Sequence, residues 1–102
     1  MIFRRSKYEA VIEAQLDLFL REHRDVVEDV ATRLERYNLA DRDEAEELYG
    51  DYVDAVETGT ELLADLRDNY AQTLDDADAY LRDFNRAVAK RLPEYALEIE
   101  NR

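Results

Sequence analysis

The first third of the chain has a regular pattern of apolar positions. Steps of three or four residues join Tyr8, Ile12, Leu16, Phe19, His23, Val26, Val30, Leu34 and Tyr37. These eight steps span 29 residues, and a period of about 3.6 residues is that of an amphipathic α-helix. The pattern therefore predicts one long helix over residues 5–37.

A second stripe follows a break at residues 38–40. Asp41 and Glu44 have the spacing of a capping box, in which two side chains bind amide groups at the start of a helix. The stripe itself comprises Ala45, Leu48, Tyr49, Tyr52, Val56, Gly59, Leu63, Leu66 and Tyr70. These positions predict a second helix over residues 41–73.

A third stripe is shorter. It comprises Ala77, Tyr80, Leu81, Phe84, Val88 and Leu92. Asp75 or Asp76 is suited to cap the start of this helix, and Pro93 ends or kinks it. The pattern predicts a helix over residues 77–92 and a short tail segment over residues 94–100.

These elements predict an all-α fold in a single helical-bundle domain over residues 1–102: a long antiparallel helical hairpin plus a shorter third helix. A short loop makes the two long helices antiparallel neighbours. If the turn centres on residue 39, Phe19 lies opposite Gly59. Glycine weakens a helix by about 1 kcal/mol relative to alanine, so its presence in the stripe needs a reason. We interpret Gly59 as a position without a side chain against which the Phe19 ring packs.

The third helix is too short to cover the whole hairpin. It leaves one half of the apolar stripe with only two helices around it, and burying an aliphatic side chain contributes about 1.5–3 kcal/mol. We therefore expect a homodimer, or an obligate partner helix, that completes the bundle. Its predicted seam consists of Val26, Val27, Val30, Leu34, Leu48, Tyr49, Tyr52 and Val56.

Composition narrows the class of protein. Two glycines and one proline in 102 residues are too few for a turn-rich β fold. The absence of cysteine excludes disulfides and thiolate metal sites. The apolar runs are too short for a membrane span, and the basic N-terminus lacks the apolar core of a signal peptide. We expect a cytoplasmic protein that binds no membrane.

The acidic charge is concentrated in the middle of the chain. The net charge is −12, and residues 37–81 alone hold fourteen acidic and two basic residues. On a helical wheel, one face of the second helix carries carboxylates alone, while Arg42 and Arg67 lie toward its apolar side. This acidic face comprises Asp43, Glu47, Asp54, Glu57, Glu61, Asp65 and Asp68. A DNA duplex would repel it, so direct nucleic-acid binding is not expected.

Basic residues on the third helix form a row of the opposite charge. Arg82, Arg86 and Lys90 follow one another at intervals of four residues, opposite the apolar stripe of that helix. Within one copy, the basic row and the acidic face both point away from the core. Between copies the two surfaces are free to meet.

Few residues of the chain are candidates for catalysis or metal binding. A di-metal carboxylate bundle needs histidines in Glu-x-x-His motifs with ligands that project inward. The chain has one histidine, His23, which lies in the apolar stripe. We interpret His23 as a core or interface imidazole, with pH sensing as the alternative. The sequence predicts no cofactor, no metal site and no enzymatic activity.

The sequence thus predicts a protein–protein interaction or assembly module. Its apolar seam serves self-association and its acidic face meets a basic protein partner. In one alternative, the carboxylates imitate nucleic-acid phosphates and occupy a nucleic-acid-binding protein. A third possibility is a small carboxylate metal-binding protein.

Overall fold

The computed structural model describes residues 7–102. Every regular element in that range is helical, which confirms the predicted all-α class. The predicted start of the first helix, at residue 5, lies outside the described residues. The elements are α1 Glu9–Glu22, α2 Arg24–Asn38, α3 Arg42–Ala71, α4 Asp78–Arg91, a 3-10 turn Pro93–Tyr95 and α5 Ala96–Glu100.

The first predicted helix is two helices, so the prediction of one continuous helix over residues 5–37 is wrong. His23 interrupts it with φ −122° and ψ 37°. The His23 amide donates to the Phe19 carbonyl oxygen at 2.8 Å and ends α1, while the Val27 amide donates to the His23 carbonyl oxygen at 3.2 Å. Neither glycine nor proline marks this break. Tertiary packing is its cause, because α1 packs mainly on α4 whereas α2 packs on α3.

The predicted hairpin is retained in its second half. Residues 39–41 connect α2 to α3, which pack against each other. The amides of Glu44 and Ala45 both donate to the Asp41 carbonyl oxygen at 3.0 Å. The Asp41 side chain makes no capping hydrogen bond. The helix therefore starts where the sequence predicts, but through backbone bonds alone.

At the other end of α3, α4 packs between it and the start of α1. The ring of Tyr80, on α4, lies 5.5 Å from the Tyr8 ring and 4.8 Å from the Tyr70 ring, centroid to centroid. At the start of α4, the Asp78 amide donates to Oδ1 of Asp76 at 3.1 Å. Of the two predicted capping residues, Asp76 is thus the one whose side chain binds this helix start.

The tail fills the space that opens where α1 diverges from α3. Tyr95 is buried, and a Cβ built on Gly59 would lie 2.7 Å from the Tyr95 hydroxyl oxygen. Phe19 lies beside Tyr95, with ring centroids 6.2 Å apart. A ring does pack against Gly59 as predicted, but it belongs to Tyr95 and not to Phe19. The prediction failed because it assigned the groove beside Gly59 to α1.

Arg67 ties three elements together from inside the core. Its side chain is buried although it carries a charge. Nη1 donates to Oδ1 of Asn85 on α4 at 2.9 Å and to the Ile99 carbonyl oxygen on α5 at 3.0 Å. Nε donates to Oδ1 of Asp68 at 2.8 Å. The guanidinium therefore fixes α4 and the tail to α3.

Two buried tyrosines allow a matched prediction about hydrogen bonding. The Tyr80 hydroxyl donates to Oε1 of Gln15 at 2.9 Å, whereas the buried Tyr95 hydroxyl has no hydrogen-bond partner among residues 7–102. Tyr80→Phe is expected to lower the free energy of unfolding by about 1–2 kcal/mol, since it leaves Gln15 unpaired. Tyr95→Phe is expected to be neutral or to raise it by up to about 1 kcal/mol. Urea denaturation of both variants measures the difference, and an equal loss in both would contradict it.

The hydroxyl groups of Tyr80 and Tyr95 make the free energy of unfolding depend on pH in the alkaline range. Burial raises the pKa of Tyr80 and of Tyr95 from 10 to about 12. In both cases the folded chain holds the proton more tightly than the unfolded chain. The stabilisation is therefore complete below pH 10 and is lost as the pH rises through the folded pKa of about 12. In Tyr95→Phe the loss between pH 10 and 12 is expected to be smaller.

Candidate interaction surfaces

Helix α3 presents the acidic face to solvent. All seven carboxylates predicted for it are exposed: Asp43, Glu47, Asp54, Glu57, Glu61, Asp65 and Asp68. The helix runs without interruption for 30 residues, so the face extends for about 38 Å from its first to its last carboxylate at 1.5 Å per residue. Asp68 accepts a hydrogen bond from Arg67. The structure thus gathers the predicted residues on one rigid surface.

Among the described residues, the basic side chains near α3 pair with one carboxylate of that face, Asp68, which binds Arg67 at 2.8 Å. Arg42 is exposed at the first position of α3, and Arg67 is buried. On α2, Nε of Arg33 donates to Oδ2 of Asp29 at 2.9 Å, and its Nη1 lies 3.8 Å from Oδ2 of Asp51 on α3. The hydrogen bond to Asp29 and the charge of that carboxylate raise the pKa of Arg33. Arg33 therefore links α2 to α3 through carboxylates outside the acidic face.

The residues of the predicted dimer seam differ in their exposure. Val30 and Val56 are buried within the single chain, and Tyr49 is 49% exposed. The remaining five are half-buried: Val26, Val27, Leu34, Leu48 and Tyr52. The part of the seam available to a second copy is therefore smaller than the sequence suggests, since the core of the chain already takes up its two central valines.

A cluster of aromatic rings marks the exposed part of the seam. The Tyr49 ring lies 5.2 Å from that of Tyr37 and 6.2 Å from that of Tyr52. Burial, together with the charge of Glu94 in the tail, raises the pKa of Tyr52. Tyrosine rings that are part buried and part wet are typical of binding surfaces. Tyr37 belongs to this cluster although it was not among the predicted seam residues; its place at the end of the first apolar stripe was the signal.

A groove between α4 and α5 is lined by two residues of the basic row, Arg82 and Arg86, whereas Lys90 lines a separate cavity between α1 and α4. Arg82, Arg86 and Lys90 are exposed. The groove has a volume of about 560 Å³ and is lined by Arg82, Asn85, Arg86, Ala89, Ala96, Leu97 and Glu100. Leu97 is 72% exposed. Sequence reasoning found the basic row but missed the exposed leucine beside it, because the tail was treated only as a cover for the core.

His23 lies at the break between α1 and α2. It is half-buried, and its ring is tilted against that of Phe19 at 5.5 Å. The two residues help to line a cavity of about 210 Å³ between α1 and α3, with Leu18, Glu22, Leu62, Leu66 and Asn69. An imidazole packed on a core ring fits the predicted structural role.

Residues 7–102 contain neither a metal-binding cluster nor a membrane-spanning helix. Among residues 7–102, no group of three or more His, Asp or Glu side chains is arranged to hold a metal ion. No helix in that range has the length and apolar character needed to cross a bilayer. The carboxylates of α3 are thus spread along a face and do not converge on a point.

Comparison of the chain with protein-family models, curated proteins and solved structures finds no match. The function is therefore inferred from the chemistry of the surfaces themselves. Those surfaces are the acidic face of α3, the tyrosine cluster of the seam and the basic groove between α4 and α5.

Proposed function

We propose that this protein is a non-enzymatic interaction or assembly module of the cytoplasm. The acidic face of α3 binds a basic protein partner, and the exposed part of the seam binds a second copy of the chain. One observation carries the proposal. Seven exposed carboxylates follow one face of a single uninterrupted helix, and the two basic residues of that helix lie outside the face.

The acidic face has a physical cost that a partner would remove. Carboxylates three or four residues apart on a helix repel one another by a few tenths of a kcal/mol per pair. A surface rich in Lys and Arg cancels this repulsion and speeds encounter by electrostatic steering. Because the charges are exposed, such binding weakens as salt is added. The face is therefore suited to fast, salt-sensitive association.

Self-association of the seam is supported by its partial burial. Tyr49 and Tyr52 retain exposed ring area at the end of the α2–α3 hairpin that α4 does not reach. Each Å² of apolar surface removed from water contributes about 25 cal/mol. A two-fold contact of these rings would bury the same patch on both copies. This is the proposed homodimer.

Charge removal at matched positions tests the acidic face. The face variant is Glu57→Gln/Glu61→Gln/Asp65→Asn, and the control is Asp25→Asn/Glu28→Gln/Glu35→Gln on α2, which changes the net charge equally at exposed positions. Calorimetric titration with a short poly-lysine peptide at low and physiological salt is the measurement. The face variant is expected to bind about tenfold more weakly than the control. If the face variant and the control bound poly-lysine equally weakly, the acidic face would not be the binding site.

Mimicry of nucleic-acid phosphates would use the same face. The observation that favours it is the length of the face, because carboxylates along about 38 Å of rigid helix offer an extended row of negative charge. Mimicry predicts that the chain displaces duplex DNA from a sequence-independent DNA-binding protein, and that the face variant does not. The interaction-module proposal predicts poly-lysine binding without such displacement.

A further inference from the structure

We propose that the groove between α4 and α5 is a docking site for the acidic face of a second copy of this chain. The inference rests on the proposed function, since it uses the same acidic face and names a partner for it. The groove supplies the basic surface, and α3 of another copy supplies the carboxylates.

The two arginines of the groove and the neighbouring Lys90 have no carboxylate partner among residues 7–102. Arg33 and Arg91 have carboxylate oxygens at 2.9 and 2.8 Å, from Asp29 and Asp17 respectively. Across residues 7–102, no such pair involves the row of Arg82, Arg86 and Lys90. The first six residues contain no acidic side chain. In a chain with 26 acidic residues, this basic row is available to a carboxylate from outside.

The buried side chain of Arg67 holds the two helices that form the groove. Nη1 of Arg67 donates both to Asn85 on α4 and to the Ile99 carbonyl oxygen on α5. These two bonds set the separation of the two walls. Between the walls lie the small side chains of Ala89 and Ala96. The groove is therefore a fixed feature, and its small residues leave room for the side chains of an approaching helix.

Leu97 gives the groove an apolar component. It is 72% exposed although Ile99, two residues later, is fully buried. An exposed leucine in a groove that two arginines also line favours a partner surface that combines negative charge with aliphatic side-chain carbons. Glutamates on a helix offer both, through the carboxylate and the methylene groups. A bare phosphate or sulfate would leave Leu97 in water.

The charge spacing of the two surfaces is the same. Arg82, Arg86 and Lys90 repeat every four residues, as do Glu57, Glu61 and Asp65 on α3. Four residues of helix rise about 6 Å. An acidic helix that lies in the groove therefore brings two of its carboxylates into register with Arg82 and Arg86, the two cations that line the groove. The chain therefore carries complementary halves of one interface.

This contact differs in symmetry from the seam dimer. It joins two different surfaces, so it is heterologous, and copies either close into a ring or add in a row. A copy joined through the seam retains both the groove and the acidic face. The two contacts together would build assemblies larger than a dimer. Each contact can be removed by mutation without altering residues of the other.

Reciprocal charge reversal tests the proposal on the full chain. The groove variant is Arg82→Glu/Arg86→Glu, and the reversed-face variant is Glu57→Arg/Glu61→Arg. The control is Arg21→Glu/Arg36→Glu, at exposed positions on α1 and α2. Sedimentation velocity over a range of concentrations measures association, and circular dichroism checks that each variant folds. All chains carry Tyr49→Ser, which weakens the seam.

In this background, the parent and the control are expected to associate at low salt, about tenfold more weakly at high salt. Each charge-reversed variant alone is expected to lose this association. The two variants mixed are expected to recover it, because the unaltered acidic face of the groove variant fits the unaltered groove of the reversed-face variant, and the two reversed surfaces are again opposite in charge. A mixture that stays monomeric, or a control as impaired as the groove variant, would overturn the proposal.

The outcome also separates this inference from the proposed function. If the chain binds poly-lysine through the acidic face but does not self-associate in the Tyr49→Ser background, the groove proposal fails alone. If the mixture recovers association but poly-lysine binding does not depend on the face, the basic-partner proposal fails alone. Addition of duplex DNA provides a last check. Binding of DNA by the groove in preference to a second copy would overturn the choice of partner.

Discussion

Gly59→Leu is expected to lower the free energy of unfolding by about 3 kcal/mol, and Gly59→Ala by about 1–2 kcal/mol. A Cβ at this position would lie 2.7 Å from the hydroxyl oxygen of Tyr95 and 2.8 Å from its Cζ. Real Cβ atoms do not approach other atoms so closely. The Tyr95 ring is 1% exposed, so it has no free space to enter. The strain exceeds the gain of about 1 kcal/mol that alanine brings to a helix.

Gly50 provides the matched control on the same helix. A Cβ built there meets nothing within 4 Å. Gly50→Ala is therefore expected to raise the free energy of unfolding by about 0.5–1 kcal/mol through helix propensity. Thermal unfolding followed by circular dichroism compares the two substitutions. Their opposite signs are the expected result, and a stabilising Gly59→Ala would contradict the packing of Tyr95.

A double-mutant cycle identifies the ring that packs on Gly59. Gly59→Ala is expected to be tolerated better when Tyr95→Leu has made room, because neighbouring residues couple. Phe19→Leu is expected to give much less relief. The reverse result would restore the arrangement predicted from sequence, with the Phe19 ring on Gly59.

Arg67→Leu is expected to lower the free energy of unfolding by about 3 kcal/mol. Replacing a buried charge with an apolar side chain is harmless when nothing is left unpaired. Here the substitution leaves Oδ1 of Asn85 without the donor that it now has, and it removes one of the two donors of the Ile99 carbonyl oxygen, which also accepts from the Arg102 amide at 3.2 Å. Lysine would not restore both bonds, because it lacks the planar fork of the guanidinium. The tail would lose a main attachment to α3.

Arg42→Leu is the control, since Arg42 is exposed on the same helix and surface changes are usually within about 0.5 kcal/mol. Urea denaturation measures the free energies. Hydrogen exchange of the tail amides adds a local readout, and faster exchange there is expected in Arg67→Leu. In the Arg67→Leu/Asn85→Leu double variant, part of the stability is expected to return because both partners are gone. A neutral Arg67→Leu would refute this role of Arg67.

The features that repeat along the chain were predictable from sequence. Helix α3 extends over Arg42–Ala71 against a predicted range of 41–73, because its stripe and its start signal agree. The exposure of the acidic face follows from the same periodicity, which places Glu57 and Glu61 opposite Tyr52. Arg67 was assigned to the apolar side on the same grounds, and it is buried. Each of these features depends on residues within one helix.

The features that depend on competition between helices were not predictable in this way. An uninterrupted stripe through His23 fits a straight helix, and no residue there forces a break. In a straight hairpin, apolar positions of the first stripe also lie opposite apolar positions of the second. The pattern therefore favoured Phe19 as the neighbour of Gly59. The tail competes for the same groove and places Tyr95 there. Periodicity does not encode which of two apolar segments occupies a groove.

The sequence by itself determined the helices, the polarity of their faces and the concentration of negative charge on α3, because each is set by local spacing and propensity. Only the tertiary structure decided the break at His23, the burial of Val30 and Val56 and the groove between α4 and α5. These depend on the volumes of side chains that are distant in sequence. A close-packed core accepts one arrangement of such volumes, and here that arrangement places the tail between α1 and α3.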